Sequence, residues 1–181
     1  MRETERIRSL RAVRQFSDRE IPKDVLLDIL EAGRWTGSSK NTQPWDLIVV
    51  TRRETLAALA KCGQFAGHVA GAKLGIALVM HGDDAWTCMD EGRLMQNLML
   101  AAWAHGVGSN IGSIYPADNE QRARELLGIP KNRYLRTMLS VGYPASPAAL
   151  RLPANAPLPR GRRPLSELVS WERFEEHNPP R

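Results

Sequence analysis

Leu74-Gly75-Ile76-Ala77-Leu78-Val79-Met80 carries no polar side chain in seven consecutive positions. The run falls far short of the ~20 apolar residues of a membrane span, and at this length it reads as a strand buried inside a sheet. Leu47-Ile48-Val49-Val50-Thr51 is a second run of the same kind, rich in β-branched residues. Between the two, Glu54 to Lys61 has a helical pattern that Gly63 stops. Beyond them, Asp90 to His105 places Leu94, Met95, Leu98, Ala101 and Ala102 inside and is apolar over much of its circumference, the mark of a central helix. Asp90 is the expected N-cap, and Gly106 and Gly108 mark the stop.

The flanking segments follow the same logic. Ile7, Leu10, Val13 and Phe16 recur at roughly helical intervals, so a short amphipathic helix is expected to run from Glu5 to Phe16. Arg8, Arg11 and Arg14 lie three apart and would project from one side of it, as a solvated face or as an anion site. Ile21-Pro22 opens a second helix with Val25, Leu26, Ile29, Leu30 and Ala32 on one face, ending near Gly33 to Trp35. Asp118 to Leu127 reads as a further helix, closed by Gly128-Ile129-Pro130, and Leu135 to Val141 as a third strand. From Ala145 to Pro164 the chain is rich in proline and has little periodicity, so an extended arm is expected. The division expected is a core over 1–145 and an extended arm over 146–181 that is either disordered or wraps a partner subunit.

A chain of 181 residues, 43% hydrophobic and 25% charged, has the length and composition of one soluble domain. Its first residues lead into no apolar signal core, so a cytoplasmic protein with no membrane segment is expected. The net charge of +5 is concentrated in two groups: Arg6, Arg8, Arg11 and Arg14, and then Arg151, Arg160, Arg162 and Arg163. Two separate arginine groups suit a small phosphorylated ligand at least as well as a nucleic-acid footprint, and no nucleic-acid partner is expected. Cys62 and Cys88 lack disulfide or zinc spacing, and His68, His81, His105 and His177 are scattered. Neither a dinucleotide-binding glycine motif, a phosphate-binding P-loop nor a nucleophile elbow occurs. With no self-contained acid-base or nucleophilic set, the chemistry is carried by a bound cofactor or is absent.

One loop invites a ligand. Gly37-Ser38-Ser39-Lys40-Asn41-Thr42-Gln43-Pro44-Trp45 sets small hydroxyls, carboxamides and an indole between a helix and a strand. Small residues allow close backbone approach and the polar ones supply donors and acceptors at several heights, which fits a flat polar molecule.

Taken in order, these pieces resemble the nitroreductase-like flavoproteins, as a compact member. The resemblance runs from about Ile7 to Val169 and rests on Arg11-Ala12-Val13-Arg14-Gln15-Phe16, Ser38 to Trp45, Gln96 to Trp103, Gly106-Val107-Gly108-Ser109, Gly142-Tyr143-Pro144 and Arg162-Arg163-Pro164-Leu165. It implies a three-layer α+β fold around a mostly antiparallel sheet, flanked by helices, in a homodimer whose C-terminal arm is exchanged. It also implies FMN at the subunit interface. Arg11, Ala12, Val13 and Arg14 would contact phosphate, ribityl and the pyrimidine edge, and Ser38, Ser39, Lys40 and Asn41 would approach the ring from the other subunit. The segment around Gly112 and Ser113 would run beside flavin N5, and Arg162 or Arg163 would clamp the phosphate. The implied activity is that of an FMN-dependent NAD(P)H oxidoreductase, ping-pong, with a nitroaromatic, a quinone or a similar small electrophile as acceptor. The same fold also implies alternatives: dehalogenation, flavin fragmentation or ene reduction, and, outside catalysis, the binding of an anionic ligand. Two departures stand out. Leu10-Arg11-Ala12 replaces the family's frequent Arg-Arg-Ser, and the stretch from His81 to Met89 is short where larger relatives carry a helical insertion.

Overall fold

The structure is a computed structural model that describes residues 2–151 and 161–174. The chain divides into two compact units, the first ending at Arg151. Expectations for residues 152–160, Arg160 among them, lie outside the described residues.

The first unit is built on four antiparallel strands: β1 (Trp45–Val50), β2 (Leu74–Met80), β3 (Gly108–Ser113) and β4 (Tyr134–Gly142). Their order across the sheet is β1-β2-β4-β3. Successive side chains of β2 alternate between two cores, as a pleated strand requires. Ile76, Leu78 and Met80 face one that includes Ile29, Leu94 and Leu98, whereas Ala77 and Val79 face another that includes Leu56, Leu59, Val69 and Met138. Helices α2 (Lys23–Arg34) and α4 (Ala85–Ala104) supply the first cover, and α3 (Arg53–Leu59) and α5 (Ala117–Leu127) the second. This is the three-layer α+β arrangement expected. β1 is the outer strand on its side of this sheet and only half-buried along most of its length, where the apolar run suggested a fully buried one.

The N-terminal segment departs from its periodicity. Helix α1 covers only Glu3–Ser9, and the chain then extends. Val13 N–H donates to the Ser109 carbonyl at 2.9 Å, Ser17 N–H to the Tyr143 carbonyl at 2.9 Å, and Ala145 N–H to the Gln15 carbonyl at 3.0 Å. Val13 is wholly buried, and a Cβ on Gly108 would come 2.5 Å from its Cγ2. Pairing with the sheet thus overrides a helical pattern too short to be stable alone. The arginines at 8, 11 and 14 consequently share no helix face.

Helix α4 begins earlier than expected. Asp84, not Asp90, is its N-cap: Oδ1 accepts from Trp86 N–H at 2.9 Å and Thr87 N–H at 3.2 Å, and Thr87 Oγ1 donates to Oδ2 at 2.6 Å. The Thr87 hydroxyl, followed by its backbone N–H, holds the Asp84 carboxyl below its ordinary value. Asp90 lies inside the helix, buried. At the other end His105 is the C-cap, its Nε2 2.7 Å from Asp28 Oδ2 on α2. The segment Gly108 to Ser113, not expected as a strand, forms β3, the edge strand beyond β4.

A glycine fixes the far end of that edge. A Cβ added to Gly63 would lie 2.0 Å from the Ser113 carbonyl oxygen, a backbone atom, whereas one on Gly67 meets nothing within 4 Å. Gly63→Ala should therefore lower stability by about 1–3 kcal/mol, through a forced backbone shift. Gly67→Ala should stay within about 0.5 kcal/mol of the unaltered chain. Urea unfolding compares them directly, and equal midpoints for the two variants would contradict this packing.

Candidate functional site

The hydrogen-bonding direction of β3 defines the site. The Ser109 carbonyl accepts from Val13 on the side away from β4, while Val141, paired with Ser109, turns its own carbonyl toward Lys73. Residues of a strand alternate in the direction of their backbone groups, so Ile111 and Ser113 also point N–H and C=O away from β4. Only Ala12 of the N-terminal segment bridges this outer edge, at Ser109. The remainder offers backbone donors and acceptors in a row.

Side chains gather along that row. His68 Nε2 lies 3.2 Å from the Ile111 carbonyl and 2.8 Å from Asn110 Nδ2, and its Nδ1 lies 2.8 Å from Ser140 Oγ. Burial, above all, depresses the affinity of His68 for a proton; the Ile111 carbonyl opposes that effect and the positive charge of Arg14 adds to it. Arg14 is itself exposed. Ser109 Oγ is buried and has no hydrogen-bond partner among the described residues. Beyond the Ser113 end, a cleft of about 410 Å³ opens between Gln64, Phe65, Tyr115, Arg136 and Thr137. Phe65 and Tyr115 are largely exposed at it.

The expected site residues fall into three groups. Arg11, Ala12, Val13 and Arg14 do lie beside β3, but differently from one another. Arg11 folds its guanidinium back onto the end of α1, donating to the Arg8 carbonyl at 2.8 Å and the Leu10 carbonyl at 2.9 Å. Ala12 is exposed at the edge, and Val13 contributes only its backbone because its side chain is in the core. Gly112 is buried, with the side chain of Val69 near where a Cβ would stand.

The second group is the loop. Ser38, Ser39, Lys40 and Asn41 are braced among themselves and to α4: Gln43 N–H donates to Ser38 Oγ at 2.8 Å and Ser39 N–H to Asp90 Oδ2 at 3.2 Å. Lys40, Asn41 and Gln43 all take positive φ, at 51°, 57° and 48°. A non-glycine residue held there costs free energy, so the loop is kept in one shape by its bonds rather than by its own preference. The neighbouring Glu91 connects α4 to the sheet. Its buried carboxylate accepts from Thr137 Oγ1 at 2.6 Å and pairs with Arg136 at 3.5 Å, and Thr137 is the register partner of Ser113. The loop and the β3 edge are therefore tied through successive residues of α4.

The third group, Arg162 and Arg163, belongs to the second unit, where both are exposed and Arg162 donates to the Gly161 carbonyl at 3.0 Å. Sequence reasoning does not find His68, Asn110 and Ser140 as a connected set, nor Asp90 as the brace of the loop. The partners of His68 stand 42 and 72 positions away, so no local spacing announces them. Among the described residues no cluster of three or more His, Cys, Asp or Glu could hold a metal ion, and no helix is long and apolar enough to cross a membrane.

Comparison with known proteins agrees with this architecture. The profile of the Nitroreductase family matches residues 7–72 and 65–143. A provisionally named NADH dehydrogenase/NAD(P)H nitroreductase of Archaeoglobus fulgidus is 35% identical over 141 residues, spanning 74% of this chain and 80% of that protein. An FMN-dependent nitroreductase from Clostridium difficile superimposes with a TM-score of 0.73 at 26% identity, over 78% of this chain and 87% of that one. Nitroreductase A from Vibrio parahaemolyticus gives a TM-score of 0.82 at 25% identity, over 98% of this chain and 79% of that one. With its helices on both faces of an antiparallel sheet and a matching profile over nearly all of its first unit, the chain belongs to the nitroreductase family.

Proposed function

We propose that this chain is an FMN-dependent NAD(P)H oxidoreductase of the nitroreductase type, acting as a homodimer on a nitroaromatic, a quinone or a similar small electrophile. The observation that carries the reading is the outer edge of β3, where the outward backbone groups of Ile111 and Ser113 run beside exposed Arg14 and the unpartnered Ser109 hydroxyl. Such a donor set fits a flat heterocycle with carbonyl and ring-nitrogen acceptors. When bound, FMN supplies the hydride-transfer chemistry between a reduced nicotinamide and the acceptor.

The protein's own groups bind and polarise. Arg14 is a fixed cation for the edge of the ring that gains electron density, an electrostatic role that needs no proton-transfer residue. Ile111 and Ser113 present backbone donors, and Gly112 between them packs against Val69. Arg11 suits the phosphate, which arginine forks bind in bidentate fashion, and Arg162 or Arg163 of the arm is of the same type. Ser38, Ser39, Lys40 and Asn41 would serve the partner's ring, from a loop already held in one shape. Trp35, Trp86 and Met89 are large apolar side chains more than half exposed, as a surface that pairs with a second copy would leave them.

Protein produced with ample riboflavin should be yellow, and Arg14→Ala should weaken FMN binding by roughly tenfold to a hundredfold, the worth of one hydrogen bond to a charged group. Colourless protein that gains no flavin spectrum on mixing with FMN would refute the reading. A chain ending at Arg151 keeps the first unit whole and removes the arm. It should be monomeric and lose FMN on gel filtration, and a truncated chain that stays dimeric and yellow would show that the arm has no part in assembly.

A further inference from the structure

His68 sits at the middle of the outer edge of β3 with both ring nitrogens engaged, and the bonds made by Ser140 and Asn110 point to the nitrogen that carries the proton. Ser140 Oγ donates to the Asn110 carbonyl at 3.3 Å, so toward His68 Nδ1, at 2.8 Å, it accepts. In that arrangement Nδ1 carries the proton. Asn110 Nδ2 is a donor, so Nε2, at 2.8 Å, accepts from it. The neutral imidazole thus joins the 67–71 turn to β3 and β4 through Ser140 and Asn110, while its unprotonated Nε2 also faces the Ile111 carbonyl at 3.2 Å.

Adding a proton breaks this arrangement. A protonated Nε2 would face the Asn110 amide donor to donor, and the nearest acceptor left to it is the outward Ile111 carbonyl at 3.2 Å. It would also set a second positive charge beside Arg14, the charged group that acts on it from the N-terminal segment. Apart from the Ile111 carbonyl, the other elements packed on this turn present no further acceptor or negative charge to compensate among the described residues. β3 and β4 present the neutral Asn110 and Ser140, and α3 and the turn after it present Leu56, Leu59 and Cys62, whose thiol burial pushes up and so keeps protonated.

We propose that His68 is a positioning residue for the flavin: its neutral, Nδ1-protonated ring holds the Asn110-Ile111 edge of β3 in the shape that receives the cofactor, and its protonation releases that edge. The inference rests on the reading of this edge as the flavin site. In the free protein the burial that lowers the His68 pKa has a defined sign. The stabilisation is complete above the ordinary value of 6.5 and is lost as pH falls from there toward the lowered folded value.

FMN binding, followed by quenching of flavin fluorescence, is compared between the full wild-type chain and His68→Gln, which can still accept from Asn110 but cannot titrate. At about pH 7.5 the two should bind alike within about threefold, and by about pH 5 the wild type should have lost at least fivefold relative to His68→Gln. The comparison cancels any titration of the FMN phosphate, which both proteins meet equally. Nitrogen-15 NMR of the ligand-free wild type should show the Nδ1-protonated tautomer near neutral pH, a readout that requires neither turnover nor a variant. If FMN binds at pH 7.5 but the two proteins track each other down the whole pH range, or if the ring carries its proton on Nε2, the role of His68 is refuted while the flavin reading stands. If neither protein takes up FMN at any pH, both fall.

Discussion

Because β2 is apolar on both faces, it must be covered from both sides, and the remaining architecture accommodates that demand. Ile76, Leu78 and Met80 call for α2 and α4, and Ala77 and Val79 for α3 and α5. Covering a strand of this composition contributes on the order of 1.5–3 kcal/mol for each large side chain taken from water. With β1 and β4 as its neighbours, β2 leaves β3 at the margin of the sheet. An edge strand has unpaired backbone groups that must be blunted or used. Here one end is closed by Ala12 and Val13 and the other by Gly63, and the groups between them make up the candidate site.

Three features then act on one short strand from different layers. Arg14 arrives from the N-terminal segment because Val13 anchors that segment to Ser109. His68 arrives from the turn before β2, held by Ser140 of β4. Glu91 reaches Thr137 from α4, and Asp90 beside it holds the Ser39 amide, so the polar loop answers to the same helix that covers the sheet. The chemistry expected of the family needs little more from the protein than this: cations and backbone donors in fixed places, with the reactive centre supplied by the cofactor.

How much of this the sequence discloses depends on the range of the interaction concerned. The bounds of β2 are legible to the residue, since a buried strand writes its environment into every position. The stop of α5 at Gly128 is equally plain, because the glycine takes the left-handed conformation there. The helix expected over Glu5 to Phe16 fails after Ser9 because its apolar residues answer to the sheet rather than to a helical core. β3 escapes notice because glycine, serine and asparagine carry no strand signature, and it is a strand only by virtue of β4. The cap of α4 falls at Asp84 for a related reason: Asp90 has the right side chain, but Asp84 has the free amides of Trp86 and Thr87 beside it. Arg11 to Arg14, the Ser38-to-Asn41 loop and the Gly112-Ser113 segment can be picked out by resemblance. The bonds of His68 across 42 and 72 positions could be found only in the folded chain.

The central claim is that the flavin lies along the outer edge of β3, and residue-resolved amide hydrogen exchange with and without FMN tests it most directly. The account predicts slowed exchange at Ile111 and Ser113 and in the Arg11-to-Arg14 segment when FMN is added. FMN that binds while those amides exchange at their original rates, with protection appearing only elsewhere, would contradict it.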